Sequence, residues 1–187
     1  LQARLALGFN FAKMDLGIGL LAGVPGALSA PLGYLEELEA AARAYWGERD
    51  LPAEEARRRR NRWYDLNNVA HPFTSIHLTE KGLDLLEAYV AEVRSAVGDE
   101  VPLAVDHLGH IALEDCIRLA RRVEKYNLAW MEDPIPWQYT DQYVRLSQSC
   151  AVPICTGEDI YLKEGFRPLL EARGVSVIHP DVLTSGG

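Results

Sequence analysis

Cysteine is scarce in this chain, at three residues in 187, and none of the three has a partner at a diagnostic spacing. Cys116, Cys150 and Cys155 form no CxxC pair and no Cys/His zinc pattern. That excludes a disulfide scaffold and a zinc-finger module, and fits packed, reduced thiols in a cytoplasmic protein. No apolar run reaches the roughly 18 residues of a membrane span, and no signal-peptide pattern stands at the start. Excess positive charge is missing too: 19 Lys and Arg face 27 Asp and Glu, a net charge of −8. A membrane or nucleic-acid partner reached through a basic surface is thereby excluded. If the substrate is an anion, local chemistry must hold it.

What remains is the composition of a globular protein, 48% hydrophobic and 25% charged, in a chain long enough to bury a core. The first residue is Leu rather than Met, so a piece cut from something longer is expected. LQARLALG reads as the end of a helix and NFAKMD as a strand. From Thr79 onward, helix and strand alternate strictly, beginning with LTEKGLDLLEAYVAEVRSAVG and VPLAVD and ending with KEGFRPLLEARG and VSVIHPD. Five strands are expected, starting near Asn10, Val101, Leu128, Pro153 and Val175. Such alternation predicts an α/β fold with a parallel sheet and right-handed crossovers.

The stretch 17–76 breaks this rhythm with a Gly- and Pro-rich segment followed by one or two polar helices. An insertion after a strand end would lie like a lid over the site edge of the sheet. The run Arg57 to Arg60 is flanked by Glu48, Asp50, Glu54 and Glu55, which predicts a solvated, salt-bridged helix rather than a nucleic-acid surface.

Three acids carry the chemistry. Asp106, Glu132 and Glu158 each close a short apolar run, and both gaps are 26 residues (132 − 106 and 158 − 132). Equal spacing predicts equivalent ends of successive β/α units, the edge where parallel sheets hold their active sites. Carboxylates without Cys or His at the equivalent positions favour Mg²⁺, with Mn²⁺ as the substitute, and leave room for a substrate carboxylate. Lys13 and Asp15, two apart on one strand face, are placed to bond each other or a ligand. Asp181 follows the last strand, with His179 on its own face.

KMD, VDHLG, WMEDP, TGED and HPDVLTSGG resemble, in order, type and spacing, the motifs of the enolase superfamily, and within it the mandelate racemase-like branch. The resemblance covers residues 1–19 and 77–187. It implies a modified (β/α) TIM-like barrel of which residues 1–187 supply about strands two to six. The capping domain would precede Leu1 and the last strands would follow Gly187. By resemblance, Asp106, Glu132 and Glu158 are Mg²⁺ ligands that stabilise an enediolate, and Asp181 is the Asp of a His–Asp dyad whose histidine belongs to the seventh strand. Relatives with Lys-x-Lys on the second strand use the second Lys as a base; here Asp15 replaces it, which speaks against two-base racemisation. Lys13 is then a catalytic polarising group, with Asp15, His107, His110 and His179 as substrate contacts.

The implied function is dehydration of an acid sugar, an aldonate or aldarate, to a 2-keto-3-deoxy acid, by an enzyme that assembles as a homo-oligomer. The alternatives are a racemase or epimerase of a 2-hydroxy acid, and a non-catalytic, metal-binding or decayed relative. Arg62, Tyr64, His71 and His77 in the inserted stretch are minor candidates, better read as structural. Trp130 and Met131 read as core, while Trp137 is open between pocket and core.

Overall fold

The computed structural model describes residues 2–21, 23–47, 50–67, 76–106 and 111–186. Its sheet consists of β1 (Ala12–Asp15), β4 (Leu103–Asp106), β5 (Met131–Glu132), β6 (Ile154–Thr156) and β7 (Val177–Ile178), all parallel, in that order. Each strand starts one to three residues later than the apolar runs suggest. Pro102 and Pro153 stand just ahead of β4 and β6. Proline has no N–H for the ladder, so each contributes only its carbonyl, to Ala12 N at 3.0 Å and Met131 N at 2.8 Å.

Helices α4 (Glu80–Val97), α5 (Leu113–Val123), α6 (Thr140–Ser149) and α7 (Leu162–Glu171) connect or follow these strands, and each packs on the next. α4 begins where Thr79 caps it, its hydroxyl accepting from Gly82 N at 3.1 Å, and stops at Gly98, which has φ of 78°. Its apolar stripe, Leu83, Leu86, Val90 and Val97, is buried. In α5 the inward face is Cys116, Ile117, Leu119, Ala120 and Val123. Hydrophobic burial drives this layer onto the sheet.

One buried charge holds the helix ends in place. The Arg94 guanidinium donates to the carbonyls of Gly98 (3.1 Å), Val101 (2.7 Å), Tyr126 (3.0 Å) and Asn127 (3.2 Å). It thereby ties the end of α4 to the turns leading into β4 and β5. Four acceptors offset the cost of taking the charge out of water.

Residues 17–78 contain two features the sequence did not suggest: a 3₁₀ turn at Ile18–Leu20, and β2 (Leu28–Ser29) paired antiparallel with β3 (His77–Leu78). The polar helices are α2 (Tyr34–Gly47) and α3 (Ala53–Asn67), packed together over Leu38, Ala41 and Leu66. Glu55 pairs with Arg58 and Arg59, so the middle two of the four arginines are ion-paired along their own helix. Arg62 pairs with Glu37, and Tyr64 sits edge-on to Tyr45. His77 Nδ1 lies 3.2 Å from Asp115 Oδ2, the same buried oxygen that accepts from Leu78 N at 3.0 Å. Asp115 thus pins the return of this segment to α5. His71 lies outside the described residues.

The start of α4 presses on the turn before β2. Thr79 N and its hydroxyl both donate to the Ala27 carbonyl, at 3.2 and 2.9 Å, and a Cβ on Gly82 would run into that same oxygen. Alanine normally favours a helix over glycine by about 1 kcal/mol. Here Gly82→Ala is expected to lower stability by about 1–3 kcal/mol, measured by urea denaturation, because backbone must move to admit the methyl group.

Candidate functional site

Strand register sets the site. Asp15 stands opposite Asp106, Asp106 opposite Glu132, Glu132 opposite Cys155, and Cys155 opposite Val177. Residues two apart on a strand share a face, so Lys13, Trp130 and His179 join this row from one step above or below. Five strands therefore direct charged and polar groups to one side of the sheet at its C-terminal edge.

Glu158 is not in that row. β6 ends at Thr156, and Glu158 lies in the turn that follows, three residues past Cys155. The equal gaps of 26 therefore do not mark equivalent register positions: the step in register from Glu132 to Cys155 is 23 residues (155 − 132). Gly157, with φ of 148°, lets the turn lie against β7, and a Cβ there would come within 3.0 Å of the His179 backbone. Asp181 likewise sits three residues beyond the end of β7.

The Lys13 ammonium bridges the two buried acids. It donates to Asp106 Oδ2 at 3.1 Å and to Glu132 Oε1 at 3.0 Å, and not to Asp15 as the strand spacing had allowed. Asp15 is exposed at the mouth, where its charge adds to that around Asp106. Glu132 is wholly buried. Its Oε2 accepts from Trp130 Nε1 at 2.8 Å, and its Oε1 lies 2.6 Å from His179 Nδ1. Trp130 stacks on Phe11 with ring centroids 4.9 Å apart. The indole read from sequence as core filling therefore orients a site carboxylate. The signal was present: Trp130 and Glu132 are two residues apart on a strand.

The electrostatics follow from crowding like charges in a dry place. Burial would raise Glu132, but hydrogen bonds from Trp130, His179 and Lys13 outweigh it and hold the carboxyl below its usual range. Asp106 is raised, chiefly by burial, with Lys13 offsetting only part. Glu158 is raised by burial and by the charges of Asp106 and Glu132. Asp133, which bonds to the Thr156 hydroxyl, is pushed up by burial to about 7. For Lys13, burial opposes the charge, yet the bonds to Glu132 and Asp106 prevail and raise it above the ordinary lysine value. Burial pushes the Cys155 thiol up to about 12.

A hard divalent cation fits this donor set. Asp106 Oδ1 is buried and has no hydrogen-bond partner among the described residues. One carboxylate oxygen each from Glu132, Asp133 and Glu158 lies within 4.8 Å of the others. A cation relieves carboxylates clustered in this way, and would supply the partner that Asp106 Oδ1 lacks.

The remaining candidates are placed differently. Asp181 is exposed, and its Oδ1 accepts from Leu183 N (2.7 Å) and Thr184 N (3.0 Å), backbone bonds that hold its carboxyl below the usual range. Thr184 Oγ1 donates to the Glu158 carbonyl at 2.8 Å, joining the turns that carry the two acids. Trp137 packs partly against the core. His107 and His110 lie outside the described residues.

The sequence pattern of the family described as Enolase C-terminal domain-like matches residues 52–187. The chain belongs to that family. Its parallel sheet is accordingly part of the (β/α) TIM-like barrel of the enolase family. Over 109 residues it is 33% identical to the D-galactonate dehydratase of Ralstonia pickettii, covering 58% of this chain and 28% of that protein. Over 111 residues it is 37% identical to the D-xylonate dehydratase of Haloferax volcanii, covering 59% and 27%. Among solved structures, a mandelate racemase/muconate lactonizing enzyme-like protein from Rubrobacter xylanophilus is 37% identical. It superposes with a TM-score of 0.57 over 59% of this chain and 28% of its own. The chain thus spans under a third of the length of these enolase-family relatives. Among the described residues no helix is long and apolar enough to cross a membrane.

Trp130→Phe keeps the stack on Phe11 but removes the donor to Glu132 Oε2. A fall in stability of about 1–3 kcal/mol is expected from chemical denaturation of the metal-free protein, since a buried acceptor loses its partner.

Proposed function

We propose that this chain is the catalytic part of a Mg²⁺-dependent dehydratase that converts an aldonate or aldarate to a 2-keto-3-deoxy acid. The observation that carries the reading is the row of buried carboxylates around a lysine at the C-terminal edge of the sheet, in a chain whose relatives are named sugar-acid dehydratases. Asp106, Glu132 and Glu158 would hold the metal. When bound, Mg²⁺ supplies positive charge beside the substrate carboxylate, offsetting the negative charge that develops as the α-proton leaves.

The chain's own groups do the rest. Lys13, which bonds to Asp106 and Glu132, would donate to a substrate oxygen and polarise it. Asp15 stands where a second lysine would serve as base, which argues against racemisation by a lysine base on this face. Asp181 has one oxygen occupied by backbone N–H groups, which fixes the carboxylate and leaves the other oxygen to orient a histidine contributed from outside this chain. Such a histidine would take the α-proton and return a proton to the leaving β-hydroxyl, so that water departs and the enol becomes the keto acid. His179, half-exposed beside Glu132, with Asp15, His107 and His110, would meet the substrate hydroxyls. Residues 17–76 would close over the site as a lid.

With Mg²⁺, the full-length protein is expected to release keto acid from at least one of a panel of hexonates, pentonates and aldarates. Release from none sinks the reading, and solvent deuterium entering recovered substrate without loss of water would identify an epimerase instead. Chelation should abolish turnover. Lys13→Met is expected to lower turnover by roughly 100-fold or more. Mg²⁺ should also raise the melting temperature of that variant more than that of the wild type, because the ion then replaces the countercharge that Asp106 and Glu132 lost with Lys13.

A further inference from the structure

The row that carries Glu132 carries a second kind of donor. Cys155 stands opposite Glu132 on the next strand, and His179 lies two residues past Val177, which stands opposite Cys155. One ligand atom each from Glu132, Cys155 and His179 lies within 4.8 Å of the other two. Glu132 and Cys155 come from the adjacent strands β5 and β6, and His179 directly follows β7; ladder bonds fix these backbones, including His179 N to the Thr156 carbonyl at 3.0 Å. Cys155 is a free thiol.

A carboxylate, a thiol and an imidazole form the donor set of a thiophilic cation. Zn²⁺ and Co²⁺ take such ligands in tetrahedral sites, whereas Mg²⁺ requires oxygen and shuns sulfur. Cys155 and Glu132 are buried, and His179 has 49% of its side chain exposed. The histidine therefore forms the way in, and the two buried groups form the floor. The other cysteines lack this company: Cys116 Sγ rests on the carbonyls of Ile111 and Pro134, and Cys150 Sγ on those of Leu146 and Val152.

We propose that Glu132, Cys155 and His179 form a site for Zn²⁺ or a similar thiophilic divalent ion, and that its occupation excludes Mg²⁺ by taking Glu132. The fourth coordination position is left to water or a substrate oxygen. A cation arriving at Glu132 Oε1 displaces the Lys13 ammonium, which is one-third exposed on a flexible stem and retains Asp106. Binding at this site stands on the three-strand geometry alone, while the exclusion of Mg²⁺ rests on the proposed Mg²⁺ site. The consequence is an enzyme that one class of divalent ion activates and another arrests.

The test is titration of metal-free, full-length protein with Co²⁺, whose thiolate charge-transfer absorption reports sulfur ligation. The expected result is a band that saturates at one equivalent in the wild type and in Cys150→Ser, and is lost in Cys155→Ser. His179→Ala, at a half-exposed position, should weaken Co²⁺ binding by more than about 10-fold and serves as the second variant if Cys155→Ser does not fold. Excess Mg²⁺ should diminish the wild-type band, and Zn²⁺ should abolish it. No band in the wild type, or a band that survives Cys155→Ser, overturns the site. A band indifferent to Mg²⁺ overturns the exclusion. Failure to form keto acid with Mg²⁺ would count against the dehydratase reading alone, since the Co²⁺ spectrum does not depend on turnover.

Discussion

The bridge from Lys13 to Asp106 and Glu132 is the constraint around which this molecule is organised. Three adjacent parallel strands end in a buried space where like charges would otherwise repel. A wholly buried Glu132 is tolerable only because its charge is compensated on several sides, by Lys13, Trp130 and His179. Asp106 is less well served, with one oxygen lacking a hydrogen-bond partner among the described residues and its carboxyl raised by burial. This imbalance marks the place where a further positive charge would be most welcome.

The scaffold makes that concentration of charge sustainable. Apolar faces of α4 and α5 seal the far side of the sheet, and Arg94 locks the helix ends to the strand starts through four carbonyls. Rigid strands carry the row of Asp106, Glu132 and Cys155, while turns carry Glu158 and Asp181. The turn-borne acids are tied together by the bond from Thr184 to the Glu158 carbonyl. Groups that must hold a fixed geometry thus sit in the ladder, and groups that can adapt to a ligand sit just beyond it.

Much of the fold was legible because it rests on local patterns. The stripe from Leu83 to Val97, the Thr79 cap and the Gly98 stop specify α4 without reference to anything distant. Strict alternation from Thr79 onward identified four of the five parallel strands, and NFAKMD the first, because a crossover helix favours parallel pairing. The β2–β3 pair was not legible. Each strand is two residues long, and the pairing joins segments about fifty residues apart, held by Thr79 and Asp115.

The site divides in the same way. Residue types and their order were enough to mark Asp106, Glu132, Glu158 and Lys13 as a group, and the family pattern agrees with the fold that this implies. Sequence spacing could not tell that Lys13 turns from Asp15 to Asp106 and Glu132, since that choice follows from cross-strand register and the energy of buried charge. Nor could it tell that Trp130 and His179 converge on Glu132, that Cys155 stands beside it, or that Glu158 reaches in from a turn. Sequence alone determined the strands of the main sheet, the helices between them and which residues carry charge, because those are set by neighbours along the chain. The tertiary structure decided which charges meet, because ladder register and burial act between residues far apart in sequence.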